Sequence, residues 1–199
     1  MKGRLLYLMG ASGAGKDTVL DGVKTQLGSR VYIAPRIITR HCTPTEKRAI
    51  SVTPEQFQVM VTQGLLAMAW HANGLSYGIH RDIHHHLERG CDVLVNGSRA
   101  YLPQASLHFP ELQPVLLHVD SETLRQRLIQ RKRETQQQIQ ERLERNAHFS
   151  HLSDRPGISQ PILINNSGPA EHAIAALCRI LNQHYPNTNH AFTTEQSHA

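Results

Sequence analysis

The sequence predicts an α/β fold in which a five-stranded parallel sheet carries helices on both faces. Short apolar runs of strand length alternate along the chain with stretches whose apolar residues recur at helical spacing. The first of these runs passes through a glycine-rich loop directly into a helix. With 199 residues and 39% apolar content, the chain can bury one core of that kind. In parallel sheets ligands bind at the carboxyl ends of the strands, which is where this loop falls.

Leu5 to Met9 is the first strand. Val19, Leu20, Val23 and Leu27 follow three and four residues apart and define a helix that stops near Gly28. Val31 to Ile33 is the second strand, closed by Pro35. Thr53-Pro54-Glu55-Gln56 starts a helix, with threonine as N-cap, proline at the first helical position and glutamine able to complete a capping box. Phe57, Met60 and Val61 give that helix its apolar side, and Gly64 ends it. Cys91 to Val95 and Val115 to Val119 are the next two sheet strands, the second followed by an Asp120-Ser121 cap. Between Glu122 and Asn146 the chain carries Arg125, Arg127, Arg131, Arg133, Arg142 and Arg145. Leu124 with Leu128, and Ile139 with Leu143, make two short helical stripes parted near Glu134 and Thr135, a composition suited to a mobile flap. Pro161 to Ile164 is the last strand, and Ile174, Leu177, Cys178 and Leu181 mark the closing helix. The expected organisation is one domain over residues 1–185, with an insert over about 35–90 and a lid over about 122–150. Residues 186–199 are expected to be a disordered polar tail.

The loop Gly10-Ala-Ser-Gly-Ala-Gly-Lys16-Asp17 is a phosphate cradle of the P-loop type. Gly10, Gly13 and Gly15 are expected to take positive φ, so that the amides of residues 11–16 turn inward, and the helix N-terminus adds partial positive charge. Gly10, Ala11, Ser12, Gly13, Ala14, Gly15, Lys16, Asp17 and Thr18 are therefore the expected nucleotide-binding residues, with Lys16 as a cation for the outer phosphates. The position after the lysine, ordinarily a hydroxyl residue that touches Mg²⁺, is an aspartate. Asp17 is an acceptable oxygen ligand for Mg²⁺, and Thr18 can supply the hydroxyl. The plainer role for Asp17 is a favourable charge in a helix first turn.

The net charge is +5, with aromatic residues at 5% and no aromatic stacking signature among the arginines. That charge suits phosphate groups on small ligands, and neither nucleic acid nor membrane is expected as a partner. No apolar stretch approaches 18 residues and the first strand begins within a few positions of the start, so a cytoplasmic protein is expected. Cys42, Cys91 and Cys178 are isolated thiols, which argues against a disulfide framework and a zinc site. His80, His84, His85 and His86 stand close together without an acidic or cysteine partner at ligand spacing, so no specific metal site is expected there.

The cradle, Ile38-Thr39-Arg40, Gly74-Leu-Ser-Tyr77-Gly78, the strand from Asp92, Arg142-Leu143 on the arginine-rich helices and the terminal Ile-Leu-Ile-Asn165 occur in the order seen in guanylate kinases. The chain resembles that family up to about residue 182. The resemblance implies a nucleoside-monophosphate-kinase-like three-layer fold, ATP as phosphoryl donor with Mg²⁺, and a helical lid. It also implies that Arg36, Arg40 and Tyr77 grip an acceptor phosphate, and that Arg142 with Arg131 or Arg133 reaches the transferring group. Two departures stand out: Met68 occupies the place of the glutamate that pairs with the guanine edge, and Asn96 and Ser98 replace acidic residues after the middle strand. With Gly-Lys-Asp in the cradle, Trp70-His71-Ala-Asn73-Gly74 and Val95-Asn96-Gly97-Ser98-Arg99-Ala100, the chain resembles the ribose 1,5-bisphosphate phosphokinases of phosphonate breakdown. That implies phosphorylation of ribose 1,5-bisphosphate to 5-phosphoribosyl 1-diphosphate, a phosphorylated sugar as substrate, and Arg99 and His71 near the sugar or its second phosphate. A nucleoside monophosphate kinase and a non-catalytic guanylate-kinase-like module remain as alternatives, the latter opposed by the presence of Lys16. The plain alternatives for the site residues are exposed loop charges at Arg36 and Arg40 and a packing role for Tyr77. Arg125 and Arg127 are expected to be solvated or paired with Glu122, and Arg145 to pair with Glu141.

Overall fold

Leu6 and Leu8 are buried on one side of the first strand and Leu5, Tyr7 and Met9 on the other, so this strand lies in the middle of the molecule. The computed structural model describes residues 2–42, 48–130, 135–147 and 159–183. In chain order the elements are β1 (Leu5–Gly10), α1 (Lys16–Leu27), β2 (Val31–Ala34), β3 (Arg36–Ile38), β4 (Ala49–Ser51) and α2 (Pro54–Thr62). They continue with β5 (Leu66–Ala72), β6 (Leu75–His80), α3 (Ile83–Glu88), β7 (Asp92–Asn96), α4 (Leu102–His108) and β8 (Gln113–His118). The last are α5 (Ser121–Gln130), α6 (Gln136–Ala147), β9 (Ile162–Asn165) and α7 (Ala170–Asn182).

The main sheet has the order β2-β7-β1-β8-β9 with every pairing parallel, as the five apolar runs predict. Leu6, Leu8, Leu94, Val115 and Leu117 pack with Val19, Leu20 and Val23 of α1, Leu124 and Leu128 of α5, Ile139 of α6, and Leu177 and Leu181 of α7. Tyr7, Met9, Val93 and Val95 face the opposite way, onto Ile83 and Leu87 of α3 and Leu102 and Ala105 of α4. Each such fully buried aliphatic side chain stabilises the fold by roughly 1.5–3 kcal/mol. The turn between α5 and α6 at Glu134, Arg131, Arg133 and the tail from residue 186 lie outside the described residues.

The insert holds an element that the apolar runs do not reveal. β4, β3, β6 and β5 form a second sheet, in which β3 pairs parallel with β4 and antiparallel with β6. β5 and β6 make a hairpin whose two turn residues, Asn73 and Gly74, have φ of 51° and 73°, the backbone of a type I′ turn. Met68, Trp70 and Ile79 of this sheet pack into the same core as Tyr7, so sheet as well as helix covers that face. The Thr53 capping box forms as the sequence predicts: Gln56 N–H donates to Thr53 Oγ1 at 3.2 Å and Thr53 N–H to Gln56 Oε1 at 2.8 Å. The histidines do not share a helix face, because His80 ends β6 and α3 begins only at Ile83. His84 stacks on Phe109 and His86 on Tyr32, and Asp82 lies 3.5 Å from His80. Among the described residues no group of three or more His, Cys, Asp or Glu could hold a metal ion, and no helix is long and apolar enough to cross a membrane.

Candidate active site

The cradle joins the carboxyl end of β1 to α1. Gly13 and Gly15 take φ of 93° and 86°, whereas Gly10 keeps strand geometry and is not among the positive-φ glycines. Its small size matters for another reason: a Cβ there would lie 2.7 Å from the Leu117 carbonyl oxygen of β8. Lys16 folds over its own loop and donates from Nζ to the carbonyls of Gly10 at 2.9 Å and Ala11 at 3.0 Å. From the far side, the buried Asn166 amide donates to the Ala14 carbonyl at 2.7 Å, which braces the loop against the end of β9.

Two clefts flank the loop. The larger, about 810 Å³, lies between the loop, the second sheet, the segment after β7 and α6. It brings together Ser12, Arg40, Tyr77, Arg99, Glu141 and Arg142. Arg142 reaches from α6 to donate to Ser12 Oγ, so this helix touches the cradle directly. Arg99 donates to Asn146 Oδ1 at 2.6 Å, and burial lowers its guanidinium to about 10, still well above neutrality. Tyr77 stacks on Trp70, which stacks in turn on Tyr101, with ring centroids 5.6 and 5.4 Å apart. Beneath Arg99 the turn is fixed by Tyr7, whose ring lies so close to Gly97 that a Cβ there would meet it at 2.0 Å. Burial pushes the Tyr7 phenol well above its ordinary value, so it stays a neutral donor and acceptor.

The smaller cleft, about 350 Å³, is lined by Gly13, Gly15, Thr18, Arg127, Gln130, Asn166 and Ala170. Thr18 therefore opens to one side of the loop while Asp17, one position earlier on α1, meets residues on the other. Asp17 Oδ1 accepts from Asn96 Nδ2 at 2.9 Å and lies 3.8 Å from Arg36 Nη2.

Several expected residues fall elsewhere. Arg36 lies on β3 against Asp17 and does not line the large cleft. His71 is exposed and pairs with Ser76, its Nδ1 2.9 Å from Ser76 Oγ, because alternation along β5 turns Met68 and Trp70 inward and His71 outward. Arg127 is bonded to the Gly168 carbonyl at 3.3 Å, while the Glu122 carboxylate takes the Gln126 amide at 3.0 Å. Arg131 and Arg133 lie outside the described residues, as does the Arg145 side chain. Met68 is 1% exposed within the core and offers the cleft no acceptor. The residues that sequence reasoning missed as parts of the site are Asn146, Asn166 and the Asn96–Asp17 contact. The departure at Asn96 was the available signal, since an amide at the end of a central strand beside a phosphate cradle calls for a partner.

No family model matches the chain. A protein of Pseudomonas fluorescens named ribose 1,5-bisphosphate phosphokinase PhnN is 46% identical over 178 residues, covering 89% of this chain and 94% of the relative. One of the same name from Pseudomonas paraeruginosa is 45% identical over 179 residues, with coverage of 89% and 94%. Among solved structures, the guanylate kinase of Anaplasma phagocytophilum superposes with a TM-score of 0.70 at 18% identity, covering 94% of this chain and 88% of that one. That likeness concerns the fold alone and agrees with the five-stranded sheet and its cradle. On the strength of the sequence relatives, the chain belongs to the ribose 1,5-bisphosphate phosphokinase family of kinases.

Proposed function

We propose that the chain transfers the γ-phosphoryl group of ATP to the 1-phosphate of ribose 1,5-bisphosphate, giving 5-phosphoribosyl 1-diphosphate and ADP. One observation carries this reading: the cleft beside the cradle gathers Arg40, Arg99 and Arg142 near Tyr77 while Met68 is buried away from it. Such a wall offers cations for two phosphates, and its one carboxylate, Glu141, stands on α6 beside Arg142 and not on the second sheet, where Met68 leaves a base edge without an acceptor. The names of the relatives support the same acceptor.

In this mechanism the loop amides and Lys16 hold the outer phosphates of ATP. Arg40 and Tyr77 hold the acceptor phosphate and Arg99 the second phosphate of the sugar. An oxygen of the 1-phosphate attacks the γ-phosphorus as the bond to the β–γ bridging oxygen breaks, and that electron pair leaves on ADP. The attacking oxygen is already ionised at neutral pH, so no general base is needed. Arg142, stationed at Ser12, neutralises charge on the transferring group, and α6 over the cleft keeps water from taking the phosphoryl. The Asp17 carboxylate fits Mg²⁺, and the buried Asn96 Oδ1, which has no hydrogen-bond partner among the described residues, fits the water shell of such an ion. When bound, the ion would offset charge on the β- and γ-phosphates.

The test is a transfer assay with ATP and a panel of phosphorylated sugars and nucleotides, with products identified by mass. The expected result is 5-phosphoribosyl 1-diphosphate from ribose 1,5-bisphosphate alone. Faster turnover of GMP would overturn the proposal.

A further inference from the structure

P-loop NTPases hold their Mg²⁺ with the hydroxyl that follows the cradle lysine and with a carboxylate at the end of a neighbouring strand. Here both positions are changed, and in opposite directions. The hydroxyl has become Asp17, and the strand that pairs with β1 ends in Asn96, directly beside Leu8 in the parallel register. The two altered side chains touch: Asn96 Nδ2 donates to Asp17 Oδ1 at 2.9 Å. The positions are 79 residues apart in sequence, so only the fold brings them together.

Asn96 is 5% exposed, and its Oδ1 is buried with no hydrogen-bond partner among the described residues. A buried acceptor left in that condition destabilises the fold unless something donates to it. An acceptor next to a carboxylate suits a hydrogen from a metal-bound water. The same geometry explains why residue 96 is an amide. A second carboxylate 2.9 Å from Asp17 would force the pair to share a proton and would lose the fixed anion the ion requires. With the amide, the contact orients Asp17 through Oδ1. The Arg36 guanidinium at 3.8 Å from the same oxygen, and the Arg48–Asp21 ion pair one turn further along α1, offset the carboxylates of this helix.

We propose that Asp17 and Asn96 are an exchanged pair: the carboxylate that serves the Mg²⁺ of the nucleotide has moved from the strand end to the cradle helix, and Asn96 is the positioning residue that aims it. This rests on the cradle being the Mg²⁺·ATP site. The exchange predicts that the pair can be swapped back.

ATP affinity is measured by calorimetry with and without Mg²⁺, and the gain given by Mg²⁺ is the readout; electron paramagnetic resonance of Mn²⁺ with ATP reports the ion itself. Asp17→Ser is expected to reduce that gain by roughly tenfold or more, and Asn96→Ala by roughly tenfold, the range for outer partners of metal ligands. The double variant Asp17→Ser with Asn96→Asp, which restores the ordinary arrangement, is expected to return the gain to within about threefold of the wild type. A double variant no better than Asp17→Ser overturns the inference, and so does Asn96→Ala with an unchanged gain, which needs no second substitution to fold. A wild type whose ATP affinity ignores Mg²⁺ would instead overturn the nucleotide site on which the inference rests.

Discussion

The Tyr7 hydroxyl holds the backbone of Ser98 at both of its polar groups, donating to the carbonyl at 2.9 Å and accepting from the N–H at 2.8 Å. Ser98 precedes Arg99, so a phenol buried in β1 sets the turn from which that guanidinium enters the large cleft. Tyr7→Phe keeps the ring against Gly97 and removes both bonds. The expected loss is about 2 kcal/mol of stability from two unpaired backbone groups. The KM for the sugar bisphosphate should rise roughly tenfold, the effect of about 1.4 kcal/mol, with the KM for ATP within about twofold. Thermal unfolding and steady-state kinetics check the two parts; an equal rise in both KM values would refute a role specific to Arg99.

Asp120 caps α5 by accepting from the Thr123 N–H at 2.7 Å and from the Thr123 hydroxyl at 2.8 Å. The Thr123 backbone bond, joined by bonds from Ser167 and the Thr123 hydroxyl, holds its carboxyl down at about 2. A carboxylate depressed in the folded state stabilises it above the unfolded value near 3.8 and loses that contribution as pH falls through about 2. Asp120→Asn should therefore unfold at a lower temperature than the wild type at neutral pH. The gap should narrow progressively between about pH 5 and pH 1. A gap of undiminished size at pH 2 would exclude the carboxylate as its source.

The five parallel strands and the cradle were legible because each is a local pattern: apolar runs, the glycine spacing and Lys16 need no distant partner. The second sheet was not. Its strands are three to seven residues long, and Leu66-Ala-Met-Ala-Trp70 lacks the polar alternation of an exposed strand, being buried through Met68 and Trp70. Asn73-Gly74 is the one local hairpin signal in this stretch, and its positive φ values form the turn. Within the site, Arg40, Tyr77, Arg99 and Arg142 do share one cleft. Arg36 and His71 do not line it, because strand alternation and the pull of Asp17 decide their directions. Asn146 and the contact of Asn96 with Asp17 stayed hidden since the partners, Arg99–Asn146 and Asp17–Asn96, stand 47 and 79 residues apart.

Lys16 lies within 3.0 Å of two carbonyls of its own loop, an arrangement that a phosphate chain with greater negative charge should displace. Lys16→Ala should leave the fold intact, because the loop is braced separately by Asn166. The kcat should fall on the order of a thousandfold, as for other charges that act on a transferring phosphoryl group. Circular dichroism and the transfer assay check the pair of statements. Loss of fold together with activity would show that the lysine serves the loop and not the reaction.

Met68 marks the sharpest departure from guanylate kinases, and its burial decides what reversing it would do. Met68→Glu would place a carboxyl in a core that includes Ile79, Ile83 and Trp70, at a position 1% exposed. Burial of an ionised carboxylate among apolar side chains is costly, so the group would take up a proton or force the second sheet open. The variant should lose about 3–5 kcal/mol of stability, the range for an uncompensated buried charge. It should gain no GMP kinase activity, because the side chain at position 68 is turned into the core and does not line the cleft. Denaturant unfolding and GMP-dependent ADP release test this. A stable variant that phosphorylates GMP would mean that a single side chain separates the two acceptor classes, and that the arginines of the cleft serve a nucleotide as readily as a sugar.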